Sequence, residues 1–195
     1  MPSITPDSLM TLETYVKVRK EFRARVIAHK KNRKVHLGEN VTLIFEDELT
    51  IRYQIQEMLR AEKIFDEEGI LAELEAYGPL VPDGANWKAT MMIEYPDPIE
   101  RAARLAKLIG IEDEVWVRVN GCDPVYAIAD EDMERENEEK TSAVHFLRFE
   151  LAGEMIKALH RGASLSMGID HDAYDVTVES VPAAVRESLI KDLAA

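Results

Sequence analysis

The amino-acid sequence predicts an α+β fold, in which a mainly antiparallel sheet is packed by helices and preceded by a helical N-terminal region. Apolar runs rich in strand-forming residues follow one another through short connections, a pattern typical of antiparallel sheets. Between these runs, apolar residues at helical spacing and capping residues indicate several helices. The 195 residues fit one domain, with a helical region at 1–37 and a sheet-containing core at 38–195.

The predicted strands lie mainly in the middle and C-terminal parts of the chain. The Asn120-Gly121 pair separates two alternating apolar runs, which is a strong hairpin pattern. We therefore expect 115–119 and 125–129 to pair antiparallel, with Val117 and Ala127 on the covered face. The other predicted strands are 41–45, 91–95, 144–150, 164–169 and 174–178.

Residues that start and stop helices bound the predicted helices. Thr5-Pro6 matches an N-cap followed by proline, and Gly38 is expected to close a second helical stretch that begins near Glu21. Asp97-Pro98 begins another helix, with Ile99 on its inner face and a stop at Gly110. Helical spacing also indicates helices near 51–59, 66–77, 155–159 and 183–190.

The composition excludes several classes of function. The formal net charge is −13 and the sequence pI is about 4.9, so the chain repels nucleic-acid phosphates and anionic membrane surfaces. The one cysteine, Cys122, allows neither an intrachain disulfide nor a thiolate zinc cluster. The N-terminus lacks the pattern of a signal peptide, and no apolar stretch approaches the roughly 20 residues that span a bilayer. We expect a cytoplasmic protein.

Common catalytic signatures are absent from the sequence. It contains no glycine-rich dinucleotide motif, no phosphate loop, no His-Glu-x-x-His and no Cys-x-x-Cys. These absences weigh against dinucleotide, ATP and zinc-protease chemistry. The sequence supports no assignment of an enzymatic reaction.

The first candidate site is the Asp170-His171-Asp172 segment. Carboxylates beside an imidazole suit a divalent ion such as iron, manganese or zinc, and they also suit acid–base chemistry. His145, on a strand expected to lie near this loop, offers a second nitrogen. The alternative is structural, because aspartate and histidine favour tight turns in which the side chains bond the local backbone.

The second candidate is the basic segment 17–34, which carries nine lysines and arginines against a single acid, Glu21. We expect several of its side chains to be exposed and unpaired, forming a patch for an acidic protein partner or a phosphate-bearing ligand. The alternative is a helix that faces water or packs on the protein's own acidic surface. A homodimer is compatible with either. The patch residues are Arg23, Arg25, Lys30 and Lys31.

Two further polar segments contain candidate residues. On the helix predicted after residue 50, Gln56 and Arg60 share one face, whereas Gln54 points elsewhere. An intrahelical ion pair with Glu57 explains the presence of Arg60, but no such pair explains the two glutamines. The acidic run 130–139 is interpreted as a solvated connection.

Four segments resemble the bacterial domain-of-unknown-function family DUF3501, in order from the N-terminal helices toward the final helix. They are Glu21-Phe-Arg-Ala-Arg-Val-Ile27, Tyr53-Gln-Ile-Gln-Glu-Met-Leu-Arg60, His145-Phe-Leu-Arg-Phe-Glu150 and Gly168-Ile-Asp-His171. Members of that family look associated with rubrerythrin-like and iron–sulfur proteins, so the resemblance implies redox or oxidative-stress physiology. It assigns no activity to any residue. One departure is Asp172, where the family pattern leads us to expect proline.

Two hypotheses about function follow. The first is a non-catalytic accessory or binding module beside redox or oxidative-stress enzymes, with the basic helix or a sheet edge as its contact surface. The second is a small metal-binding protein or metal-dependent enzyme centred on His171 and its neighbours. The missing catalytic signatures favour the first hypothesis.

Overall fold

A computed structural model describes residues 4–133, 135–137 and 139–194. The helices within this part of the chain are α1 Leu12–Lys30, α2 Glu48–Glu62, α3 Glu67–Tyr77, α4 Pro98–Leu105, α5 Gly153–His160 and α6 Ala183–Ile190. The strands are β1 Lys34–Leu37, β2 Val41–Glu46, β3 Asn86–Ile93, β4 Val115–Val119, β5 Val125–Tyr126, β6 Ile128–Ala129, β7 Val144–Glu150, β8 Leu165–His171 and β9 Tyr174–Val178. None of the described helices combines the length and apolarity needed to cross a membrane.

The strands form two antiparallel sheets. The first has the order β1-β2-β3-β7-β6 and the second the order β5-β4-β8-β9. Every named pair is antiparallel. The predicted α+β class is therefore confirmed, and the strands are divided between two sheets.

The N-terminal region is helical over a shorter range than predicted. One helix, α1, is capped by the Thr11 hydroxyl and covers the second predicted helical stretch, whereas Pro6–Ser8 forms only a 3-10 turn. The prediction that helix extends to residue 37 is wrong at its end, because Lys34–Leu37 forms strand β1. Burial alternates along that strand, and a period of two is the pattern of a strand rather than a helix. Gly38 closes the β1–β2 turn with a φ of +72°.

The predicted hairpin is confirmed over its first residues. Val117 pairs with Val125 across an antiparallel ladder, and both Val117 and Ala127 are buried. The Ala127 N–H donates to the Val115 carbonyl at 2.8 Å, after which the chain leaves this sheet. Ile128 then pairs with β7 in the other sheet. The chain therefore changes sheets at Ala127.

The predicted inner face of the helix after Asp97 is wrong. Ile99 is 83% exposed, and the helix ends at Leu105 rather than at Gly110. Leu105 and Leu108, at and just beyond its C-terminal end, are the residues that reach the core. The helix is thus anchored at one end, and the apolar spacing along it does not identify the covered face.

The main core lies between the inner faces of the two sheets and the helices α5 and α6. The rings of Phe45 and Trp87 meet edge to face at 6.0 Å, a favourable arrangement for aromatic pairs. The Trp87 indole N–H donates to the Leu189 carbonyl at 2.9 Å, which fixes α6 against the first sheet. A second apolar cluster holds Ile51 and Ile55 of α2 against α3 and the N-terminal segment.

Gly168 of β8 lies opposite Trp116 of β4, so a substitution at this glycine tests how closely the strands of the second sheet pack. A Cβ atom at this position would overlap the Trp116 ring and lie 2.6 Å from the Val176 carbonyl oxygen, which cannot rotate away. We expect Gly168→Ala to lower the free energy of unfolding by about 1–3 kcal/mol. Urea denaturation measures this change.

Gly153→Ala is the matched control. A Cβ at Gly153 would meet no heavy atom within 4 Å, and this residue begins α5. The control is expected to leave stability unchanged or raise it by about 0.4–1 kcal/mol, because alanine restricts the unfolded chain. Equal stabilities for the two variants would contradict the described strand packing.

Candidate functional site

A cleft of about 580 Å³ opens where α1, the start of α2 and the end of α6 come together. Its volume falls within the range of about 300–1,000 Å³ typical of small-molecule sites. One part of its lining is apolar and the other part is charged. The lining residues are Phe22, Arg25, His29, Asp47, Glu48, Leu49, Arg52, Val81, Pro82, Lys191 and Asp192.

The buried guanidinium of Arg33, which is 1% exposed, contacts Asp47 and Asp192 of the cleft lining. Its Nε donates to the Phe45 carbonyl at 2.8 Å and its Nη2 to the Glu46 carbonyl at 3.0 Å. It also forms an ion pair with Asp192, and its Nε lies 3.5 Å from Asp47 Oδ2. Both buried carboxylates beside the cleft therefore have a cationic partner.

The pKa values of the two carboxyl groups are shifted in opposite directions. Burial by itself would raise the pKa of Asp47, but Arg33, the Thr50 N–H and His29 together hold that pKa below its ordinary value. His29 Nε2 lies 2.5 Å from Asp47 Oδ2. For Asp192, burial prevails over the neighbouring Arg33 and raises the pKa to about 6.

The mouth of the cleft carries cations without partners. Arg25 and Lys191 are both exposed, and neither forms an ion pair with any carboxylate among the described residues. Arg52 differs from them, because its guanidinium donates to Glu48 and to the Ser8 carbonyl. Two positive charges from distant parts of the chain are therefore directed to one cleft.

The structure separates the basic residues that the sequence placed in one patch. Arg23, Arg25 and Lys31 are exposed and Lys30 is half-buried, and none of the four forms an ion pair within the described part of the chain. Only Arg25 lines the cleft. Lys30 lines a separate cavity of about 270 Å³.

The three polar residues predicted on α2 lie in different environments and do not form one site. Gln56 is fully buried, where its Oε1 accepts from the Met10 N–H at 2.7 Å and its Nε2 donates to the Met10 carbonyl at 3.2 Å. It thereby holds the N-terminal segment against the helix. Arg60 Nη2 lies 3.6 Å from Glu57 Oε2, while Gln54 lines the same cavity as Lys30.

A second constellation surrounds His145, which is fully buried on β7. Its Nδ1 lies 2.6 Å from Asp130 Oδ2 and 3.6 Å from Glu112 Oε1. Its Nε2 lies 3.0 Å from both Thr141 Oγ1 and the Ser142 carbonyl oxygen. Burial raises the pKa of Glu112, which accepts a hydrogen bond from Thr141.

The predicted metal residues do not form one cluster. In the described part of the chain, the group of three or more ligating side chains within 4.8 Å of one another consists of Glu112, Asp130 and His145. His145 lies on β7 and the Asp170-His171 pair on β8, and these strands belong to different sheets. Neither Asp170 nor His171 belongs to that group, so among the described residues the expected set of His145, Asp170, His171 and Asp172 does not come together as one set of ligands.

The side chains of the predicted loop bond to other parts of the protein. Asp170 accepts from the Trp116 indole at 2.7 Å and from the Tyr126 hydroxyl at 2.6 Å. His171 Nε2 lies 3.1 Å from the Ile109 carbonyl oxygen. Asp172 is an exposed turn residue. These contacts fix the end of β8 against neighbouring segments.

The fold and the site define an antiparallel α+β protein with a cleft of small-molecule size between α1, α2 and α6 and with a buried acid–histidine cluster. The family model described as a protein of unknown function, DUF3501, matches residues 3–193, and the chain belongs to this family. This chain is similar to a protein of unknown function from Burkholderia pseudomallei whose crystal structure is solved. The two share 58% identity with a TM-score of 0.95, over 99% of this chain and 100% of that one. No curated protein matches.

The raised pKa of Asp192 predicts a pH dependence of stability. Between about pH 4 and pH 6 the folded protein retains a proton on Asp192 that the unfolded chain has lost. Raising the pH through this window therefore lowers the free energy of unfolding through this residue. Asp192→Asn cannot ionise, so its stability relative to the wild type should rise by roughly 1–3 kcal/mol across the window.

Urea denaturation of both proteins at pH 4 and pH 6 measures this difference. The variant also alters the contact of residue 192 with Arg33, which changes stability by itself, so the change with pH is the informative quantity. If the difference in free energy of unfolding between the variant and the wild type is the same at both pH values, the pKa of Asp192 is not raised by folding.

Proposed function

We propose that the chain is a non-catalytic binding module that holds a phosphate-bearing ligand in the cleft between α1, α2 and α6. One observation carries the proposal: Arg25 and Lys191 both line this cleft, and neither has a carboxylate partner among the described residues. In a protein of net charge −13, two unpaired cations at one cleft favour an anionic ligand.

The base of the cleft supports the same conclusion. Asp47 and Asp192 would oppose an anion if they were uncompensated, but Arg33 pairs with both and His29 contacts Asp47. The charges at the mouth therefore remain available to a ligand. An arginine presents a planar fork that matches two phosphate oxygens, and a lysine adds a point charge.

The apolar part of the lining indicates what else the ligand carries. Phe22, Leu49, Val81 and Pro82 line the same cleft as the cations. Ligand sites commonly combine an apolar wall with a few polar groups that fix orientation. A phosphate ester with an apolar or aromatic group satisfies both parts of the lining.

The remaining basic residues act at longer range. Arg23 and Lys31 are exposed on or beside α1 and outside the cleft, so they raise the local positive potential and attract anions. This contribution weakens as salt concentration rises. An acidic protein partner would rely on these outer residues more than on Lys191, and this distinguishes it from a cleft ligand.

Other predictions from the sequence stay predictions. A link to redox or oxidative-stress systems rests on the family resemblance alone. The cytoplasmic location rests on the lack of signal-peptide and membrane-spanning patterns, and the exclusion of nucleic acid rests on net charge. A homodimer stays compatible with the sequence. Metal chemistry at Asp170-His171-Asp172 has less support than the cleft, because Asp170 and His171 already bond to Trp116, Tyr126 and the backbone.

Calorimetric titration with phenyl phosphate at low salt tests the proposal, since this compound joins one phosphate to an apolar ring. Charge reversal in the double variant Arg25→Glu/Lys191→Glu is expected to weaken binding at least about tenfold, which corresponds to about 1.4 kcal/mol. Binding by the wild type should also weaken with added salt.

Lys107→Glu is the matched control, because this lysine is exposed and does not line the cleft. It is expected to bind phenyl phosphate as the wild type does. Wild-type affinity in the double variant would exclude the cleft as the phosphate site. A loss confined to Arg23→Glu/Lys31→Glu would instead assign anion binding to the outer face of α1.

A further inference from the structure

The hydrogen bonds of His145 fix which ring nitrogen carries a proton. Nε2 lies 3.0 Å from the Ser142 carbonyl oxygen, which can only accept a hydrogen bond. The Thr141 hydroxyl donates to Glu112 Oε2 at 3.3 Å, so its oxygen is left to accept from the same Nε2. Both contacts require a proton on Nε2. They direct Nδ1 toward the two carboxylates.

Glu112 and Asp130 present oxygens to that nitrogen. Glu112 is 5% exposed, and its Oε1 points toward Nδ1 at 3.6 Å without a hydrogen bond to another described residue. Asp130 Oδ1 accepts from the Phe146 N–H at 2.9 Å, which places Oδ2 against His145. One buried nitrogen and two carboxylate oxygens therefore converge on one point.

This arrangement requires a proton or a metal ion between Nδ1 and Asp130 Oδ2, which lie 2.6 Å apart. Nε2 already carries a proton, so Nδ1 and Oδ2 either share a further proton or contact a cation. Metal-ligating histidines show the same pattern, in which the remaining ring N–H donates to a backbone carbonyl and fixes the ring. The Ser142 carbonyl fills that role for His145.

We propose that Glu112, Asp130 and His145 bind a divalent metal ion through Oε1, Oδ2 and Nδ1. On binding, the ion replaces the Nδ1 proton, which is released to solvent. One imidazole nitrogen with two carboxylate oxygens suits zinc, manganese or iron(II), with water completing the coordination. This site is separate from the phosphate cleft and does not rest on it.

The geometry is close to that of a metal site. Ligand atoms about 2.1 Å from an ion lie about 3.0–3.4 Å from each other at right-angle or tetrahedral geometry. The Nδ1–Oε1 distance of 3.6 Å and the Nδ1–Oδ2 distance of 2.6 Å lie on either side of this range. To admit an ion, Nδ1 and Oδ2 must separate by at least about 0.4 Å, and Nδ1 and Oε1 must approach by about 0.2 Å.

The nearby cation Arg135 does not take the place of the ion. Its Nη1 contacts the other oxygen of Asp130, Oδ1, at 3.1 Å. The same guanidinium is held by both oxygens of Asp132, at 2.5 Å and 2.7 Å. Asp130 Oδ2 and Glu112 Oε1 remain directed at His145.

Metal-stripped full-length protein, dialysed against zinc, manganese or anaerobic iron(II) alone and assayed by elemental analysis, tests the proposal. We expect one equivalent in the wild type. Asp130→Asn and Glu112→Gln keep the side-chain shape and are each expected to weaken binding at least about tenfold. Asparagine also tolerates the φ of +48° at position 130. Asp172→Asn, in the loop that the sequence favoured, is the control and should bind as the wild type.

A second measurement keeps the test independent of how the variants fold. Nitrogen-15 spectra of the wild-type histidines should show Nδ1 of His145 changing from a protonated to a metal-bound nitrogen as zinc is added. The proposal is overturned if His145 keeps both protons in the presence of zinc. It is also overturned if the wild type binds no stoichiometric metal, or if folded Asp130→Asn and Glu112→Gln bind metal as the wild type does.

Discussion

The buried guanidinium of Arg33 is the contact on which the arrangement of the molecule most depends. It bonds to the carbonyls at the end of β2, lies against the carboxylate that caps α2, and pairs with Asp192 beyond α6. One side chain thus joins the N-terminal helical region, the first sheet and the C-terminal helix. Removing one partner of a buried pair typically costs about 3–5 kcal/mol, because a charge is left without compensation. The cleft is built on these same groups, so its shape and charge follow from an interaction that the fold needs in any case.

The sequence predicted those parts of the fold that depend on local patterns. β7, β9 and most of β8 were found from alternation, and α3 from its cap and apolar spacing. β1 was missed because its four residues directly follow a long helical segment and are too few to distinguish a period of two from the end of a helix. The covered face of α4 was wrong because burial depends on which neighbours pack against a helix. Apolar spacing specifies a stripe, and tertiary contacts decide whether that stripe is covered.

For the candidate sites as well, the sequence predicted some features and missed others. The exposure of Arg23, Arg25 and Lys31 followed from the density of charge in one segment. The convergence of Arg25 with Lys191 depends on the packing of α6 against residues 31–33, directly after α1, and no spacing rule reports it. His145 stood out because the chain has only five histidines, whereas its partners are two of 37 acidic residues. Against so acidic a background, Asp130 was interpreted as part of a solvated connection and Glu112 was not singled out. Only the path of the chain between the two sheets brings them under cover.

That path has a consequence for local unfolding. The segment from Val125 to Ala129 contributes two residues to the second sheet and two to the first, with Ala127 bonded between them. Neither sheet edge can open without pulling on the other, so amide exchange along β5 and β6 should behave as one cooperative unit. Asp130 follows directly after β6, and its carboxylate holds both the Phe146 N–H and His145. Fraying of this short edge strand would therefore expose the buried histidine, which links the stability of the acid–histidine cluster to that of the strand.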